Sequence, residues 1–124
     1  LALKSPNTFI IDARSVENFN AVTAKSKKSG RIPQAINVPW YSSLNGEQPN
    51  WKLKSIAELR SVFQKFDKDK YYLIYCERGK ESAVIFYTMH LLGYKVAVYD
   101  GAWIEWSRDK NLPIERASKA ISGE

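Results

Sequence analysis

The chain is a succession of short apolar runs, each broken by charged or turn-forming residues. Phe9-Ile10-Ile11 runs into Asp12-Ala13-Arg14 and predicts a buried strand that delivers polar groups at its carboxyl end. Ser15 is placed to cap a short helix through Val16, Glu17 and Phe19. A basic, glycine-containing loop follows, then Ala35-Ile36-Asn37-Val38, a second short strand stopped by Pro39. Tyr41 to Lys54 carries Gly46, Pro49 and two asparagines and predicts irregular loop.

The second half is more regular. Ser55 and Glu58 have capping-box spacing, and Ile56, Leu59, Val62, Phe63 and Phe66 recur on one face, so a helix is predicted from Ser55 to Phe66. Tyr71 to Tyr75 predicts a central strand rich in aromatic and β-branched residues, with Cys76 directly after it. Ser82 to Leu92 is almost wholly apolar and ends at Gly93, which predicts a buried helix with a glycine C-cap. Lys95 to Tyr99 predicts a last strand, ended by Asp100-Gly101. Strands alternating with helices imply an α/β fold, a parallel doubly wound sheet flanked by helices. In such sheets sites form outside the carboxyl ends of the strands. Asp12, Arg14, Cys76 and Asp100 all fall at that edge. Cys76 is expected at a strand-to-helix turn and outside the core, while Asp12 and Arg14 are candidates for a substrate or a structural contact.

Length adds that 124 residues suffice for one core, so residues 1–124 are read as a single domain with its body over about 9–113. The chain begins with Leu1 and shows no secretory pattern, so a processed chain or a piece of a longer one is expected. Its apolar runs are too short to cross a bilayer. A soluble protein is expected, cytoplasmic in the first instance, with periplasm and organelle left open. The formal charge is +6, with a cluster at Lys25, Lys27, Lys28 and Arg31. That cluster reads as a solvated loop, since no nucleic-acid recognition motif accompanies it.

One cysteine rules out an internal disulfide, and one Cys with one His cannot build a structural zinc site. The remaining choice is between an inert buried thiol and a nucleophile. Position alone leaves the two open, but the segment Cys76-Glu77-Arg78-Gly79-Lys80-Glu81, leading into the helix at Ser82, has a coherent reading as a site. A turn between strand and helix can aim backbone N–H groups at one point, and the helix N-terminus adds a positive field. Arg78 and Lys80 add cations, and Gly79 permits a tight turn. All of these stabilise a thiolate. Glu77 and Glu81 read as charges on the loop rim.

These residues, with their neighbours, resemble the rhodanese family from about Phe9 to Pro113. The pieces are Ile11 to Ser15, Gly30 to Trp40, the cysteine loop, Gly93-Tyr94, Tyr99-Asp100-Gly101-Ala102-Trp103-Ile104-Glu105-Trp106, and Leu112-Pro113. The last long piece looks especially like the catalytic second domain of tandem thiosulfate and 3-mercaptopyruvate sulfurtransferases. The resemblance implies Cys76 as nucleophile and residues Glu77 to Ser82 as the loop that cradles the transferred sulfur. It implies a small anionic donor, a cyanide or thiol acceptor, and no metal or organic cofactor. A second rhodanese domain or a sulfur-acceptor protein would be the natural partner; neither nucleic acid nor membrane is implied. Loop cations in the family go with thiosulfate. Three positions depart from the pattern: Arg31 stands where histidine is usual, Gln34 where glycine is usual, and Asn18 where the tandem enzymes carry a substrate-binding arginine. The loop from Val22 to Ser29 is also shorter than theirs.

Other readings are weaker. A cysteine phosphatase needs an arginine to clamp the oxyanion, and Ser82 stands in its place. A cysteine hydrolase needs a base beside the thiol, yet His90 lies eight residues into the helix, about 12 Å along its axis at 1.5 Å per residue. Phe86, Tyr87, Trp103 and Trp106 read as core aromatics. A regulatory module that keeps the fold without turnover would commonly lose the cysteine, which is present here.

Overall fold

The computed structural model of the chain describes residues 7–20 and 29–115. Lys25, Lys27 and Lys28 of the basic loop lie outside the described residues.

Among the described residues, four parallel strands form the central sheet: β1 (Thr8–Asp12), β2 (Ile36–Asn37), β5 (Tyr71–Tyr75) and β6 (Lys95–Val98), in the order β2-β1-β5-β6. The β1–β5 register pairs Ile11 with Ile74 and Asp12 with Tyr75, so the two central strands end side by side. Each connection between parallel strands is a crossover, as the alternation of the sequence requires. Helices α1 (Val16–Phe19), α2 (Ile56–Phe63), α3 (Ser82–Leu91) and α4 (Ala102–Trp106) complete the α/β architecture.

Side-chain parity divides the core into two layers, because successive strand residues point to opposite faces. Ile11, Ala13, Tyr72, Ile74 and Cys76 face one way and pack with Leu59 and Phe63 of α2 and Ile85 and Met89 of α3. Ile10 and Tyr75 face the other way and pack with Ile32 and Trp103, with Trp106 and Ile114 beside them. The sheet is covered on both sides.

Local chemistry explains the element ends. The Ser55 hydroxyl accepts from the Glu58 amide at 3.2 Å and the Glu58 carboxylate accepts from the Ser55 amide at 2.9 Å, closing the capping box. These bonds, first the one from the Ser55 amide, also hold the Glu58 carboxyl below its usual range. The helix stops at Phe63, three residues earlier than expected. Phe66 nevertheless reaches the core from the turn that follows, and Ile56 is exposed. Gly93 takes a φ of +93°, the left-handed conformation that ends α3 as a glycine C-cap should.

The stretch from Tyr41 to Lys54 is more ordered than its composition suggested. A 3-10 turn over Trp40–Ser43 leads into a two-stranded antiparallel pair, β3 (Leu44–Asn45) with β4 (Lys52–Leu53). Two tertiary contacts organise it: the Ser43 hydroxyl meets that of Thr88 in α3 at 3.0 Å, and Trp40 packs edge-on against Trp51. Among the described residues, no helix is long and apolar enough to cross a membrane.

Candidate active site at the carboxyl edge of the sheet

β5 delivers Cys76 to the turn before α3, as the strand-helix order predicted. The expectation that it would stand outside the core is corrected: the residue has no exposed surface and belongs to the apolar layer against α3. Parity is the cause, since Cys76 continues the inward-facing series Tyr72, Ile74. The loop then folds back over the sulfur. The Gly79 amide donates to Cys76 Sγ at 3.0 Å. Gly79 adopts φ +104°, which an L side chain rarely tolerates, and it turns beside Asp100 at the end of β6.

The cradle is narrower than the sequence suggested. Among the described residues, Gly79 supplies the one amide hydrogen-bonded to the sulfur. The first amides of α3 are used locally, that of Ala83 on Lys80 O at 3.4 Å and that of Val84 on Glu81 O at 3.2 Å. Ser82 is fully buried and its hydroxyl donates to Gly79 O at 3.2 Å, closing the loop on itself. Arg78 and Lys80 are exposed and form no ion pair among the described residues. They are available to an anion arriving from solvent.

Asp12 and Arg14 come to the same edge but on the opposite face from the sulfur. Both are bound into a buried network there. Asp12 has no exposed surface and accepts from the Arg14 amide at 2.9 Å, Arg14 Nε at 3.0 Å, Arg14 Nη2 at 2.8 Å and the Tyr75 hydroxyl at 2.6 Å. Arg14 lies over the Trp103 ring at 4.8 Å, also donates to Gly30 O, and reaches Glu77 Oε1 with Nη1 at 3.4 Å. Burial would lower the Arg14 pKa, but the hydrogen bond and charge of Asp12 outweigh it and raise the value. Burial, and then the Asp12 charge, push the Tyr75 phenol far above its ordinary range, so it stays a donor.

Two contributors escaped the sequence reading. The amide of Trp103 donates to Cys76 O at 2.8 Å and that of Ile104 to Glu77 O at 3.1 Å, so the start of α4 holds the first two loop carbonyls. The Tyr99-to-Trp106 segment was visible as a motif, but nothing in it announced a helix whose amides face another loop. Arg31, expected in a solvated basic loop, is instead largely buried and pairs with Glu115 at 2.8 Å while lying over Phe19 at 4.3 Å. Of the four aromatics read as core, Trp103 is buried and Phe86 and Trp106 half-buried, but Tyr87 is exposed. His90 is exposed and stacks on Phe86, away from any hydrolytic role. Asn18 is exposed on α1, its amide donating to Ser15 Oγ. A cavity of about 390 Å³ lined by Phe9, Phe66, Lys70 and Tyr72 lies at the opposite edge, where the strands begin, and shares no residue with the loop.

The described residues hold no cluster of His, Cys, Asp and Glu suited to a metal ion. Among the described residues, the edge offers one buried thiol, one amide aimed at its sulfur and two exposed cations.

The chain is 35% identical over 112 residues to the 3-mercaptopyruvate sulfurtransferase of Escherichia coli K12, covering 86% of this chain and 38% of that protein. It is 34% identical over 131 residues to the sulfur carrier protein TtuD of Thermus thermophilus, covering 96% of this chain and 45% of that protein. The chain thus spans less than half the length of these relatives. Among solved structures, it superposes with a TM-score of 0.79 and 26% identity on a variant of EanB that carries a cysteine persulfide in a tetrahedral intermediate state with ergothioneine. That match covers 94% of this chain and 30% of that one. The Rhodanese-like domain family matches residues 1–109, and the chain belongs to that family.

Proposed function

We propose that this chain is a sulfurtransferase domain that carries sulfane sulfur as a persulfide on Cys76. The observation that carries the reading is the placement of the chain's one cysteine at the carboxyl end of β5, with the Gly79 amide aimed at Sγ at 3.0 Å. An amide at that distance stabilises a negative charge on Sγ, which is where the thiolate carries it.

The reaction is a double displacement. The Cys76 thiolate attacks the outer sulfur of thiosulfate; a bond forms between Sγ and that sulfur, the donor's sulfur–sulfur bond breaks, and its electron pair leaves on sulfite. Cyanide or a thiolate then attacks the outer sulfur of the persulfide, taking it as thiocyanate or a new persulfide and returning the Cys76 thiolate. Charge balances in both halves without a cofactor. Arg78 and Lys80, exposed on the rim, attract the dianionic donor, and Glu77 to Ser82 form the loop around the sulfur.

A second reading is a sulfur relay, in which the acceptor is a protein. It is favoured by the 34% identity to a protein named as a sulfur carrier. Mass spectrometry of the protein after incubation with thiosulfate tests the common core of both. Wild type should gain one sulfur atom on Cys76, and Cys76→Ser should gain none while keeping its circular dichroism and losing thiosulfate:cyanide activity to background. Sulfur loading of the serine variant, or wild-type turnover by it, would overturn the proposal. A loaded wild type that does not pass sulfur to cyanide would favour the relay.

A further inference from the structure

We propose that Arg14 is a positioning residue for the cysteine loop, acting through Glu77; the inference rests on the sulfurtransferase reading. Parity explains how a residue on the far face of the sheet reaches the loop. Cys76 points toward α3, so Glu77, the next residue, turns toward the layer that holds Asp12, Arg14 and Trp103. The backbone at this point is already held, Cys76 O by the Trp103 amide and Glu77 O by the Ile104 amide. The remaining freedom is the Glu77 side chain, which is 44% exposed. Arg14 Nη1 takes it at 3.4 Å, while the rest of the guanidinium is fixed on Asp12 and Gly30 O and against the Trp103 ring.

The consequence is electrostatic as well as mechanical. Glu77 is the carboxylate adjacent in sequence to the nucleophile, and an anionic donor approaches the same loop. Tied to Arg14, whose charge it shares with Asp12, its carboxylate is held on the face opposite Sγ. Released, it can swing over the loop, where it repels both thiolate and donor and loosens the cover on a buried sulfur. The contact is long for a charge-assisted bond and half-solvated, so a modest effect is expected.

Glu77→Gln and Glu77→Ala separate anchoring from charge. Both remove the negative charge, but glutamine keeps an acceptor for Arg14 Nη1. Two readouts apply: kcat and KM with thiosulfate and cyanide, and the rate at which neutral iodoacetamide alkylates Cys76 in the folded protein. Anchoring predicts that Glu77→Ala alkylates about two- to fivefold faster and has a kcat about two- to fivefold lower than Glu77→Gln, with KM moving equally in both. Arg14→Lys should resemble Glu77→Ala, because one ammonium cannot serve Asp12 and Glu77 together. If Arg14→Lys does not fold, the Glu77 pair still decides. Equal kcat and equal alkylation rates in the two Glu77 variants would overturn the positioning role. A wild type that transfers no sulfur would sink the functional reading alone, since alkylation compares the loops without any turnover.

Discussion

At the scale of single residues, the buried charge of Asp12 shows what this edge of the sheet costs and how that cost is met. A carboxylate without exposed surface is tolerated because Arg14 approaches it with three groups and Tyr75 donates at 2.6 Å. Tyr75 also accepts from the Ile32 amide at 3.0 Å, so one hydroxyl serves the end of β1 and the loop before β2. Tyr75→Phe leaves both partners short of a bond and should cost about 2–3 kcal/mol, read as a lower urea midpoint at unchanged m value. Gln34 makes the opposite case. It sits at φ +69°, a conformation that favours glycine, at a position where the resembled family usually has glycine. Gln34→Gly should therefore stabilise the fold by about 0.5–1 kcal/mol in the same titration, since the bond from the Gln34 amide to Glu115 survives the change. A midpoint that falls would show that the side chain contributes more than the strain removes.

At the scale of elements, what the sequence disclosed depended on how local the signal was. Cap and period signals gave β1, β5, α2 and α3, because Ser55, Glu58 and Gly93 act within a turn of their own positions. The order of those elements was enough to place Cys76 at the carboxyl edge of the sheet. Which face it takes is readable from parity, since Cys76 continues the alternation of Tyr72 and Ile74 past the strand end. The small antiparallel pair after Trp40 was not legible, since Ser43 owes its place to Thr88, 45 residues on. The same holds for the clip between Arg31 and Glu115, 84 residues apart, where each backbone amide donates to the other residue's carbonyl at 2.9 Å and Glu115 accepts from both Arg31 Nε and Nη2. Its hydrogen bond to Arg31, with that from the Gln34 amide, holds the Glu115 carboxyl below its ordinary range. A depressed folded-state value means that the clip's contribution is fully present above about pH 4.5 and is lost as pH falls through the folded value. With the carboxylate 41% exposed, that contribution stays below about 1 kcal/mol. Glu115→Gln should lower the urea midpoint slightly at pH 7 and match wild type near pH 3; an equal deficit at both values would mean that the charge is irrelevant to the clip.

At the scale of the whole molecule, the net charge of +6 and the burial of the sulfur would act on the same event of the proposed reaction, the arrival of an anionic donor. The sulfur is covered, so its own field reaches solvent weakly; Arg78 and Lys80 are exposed on the loop that covers it and would be the cations that a donor meets there. Exposed cations act through solvent, which makes their contribution sensitive to salt. The screening length falls from about 30 Å at 0.01 M to about 8 Å at 0.15 M ionic strength. For thiosulfate, kcat/KM should therefore fall about three- to tenfold across that range, with the change in the second-order step and little in kcat. The double variant Arg78→Ala with Lys80→Ala should lose a similar factor at low salt and show a flatter dependence, because the charges being screened are gone. 3-Mercaptopyruvate carries one formal charge and should respond less in both proteins. The comparison separates steering by the loop from steering by the molecule. If the double variant keeps the full salt dependence, the general positive charge attracts the donor and the loop cations serve another contact, such as docking of an acidic acceptor protein. If wild type shows no salt dependence at all, the donor is not recognised by its charge, and the thiosulfate assignment loses its physical basis while persulfide chemistry on Cys76 stands on its own test.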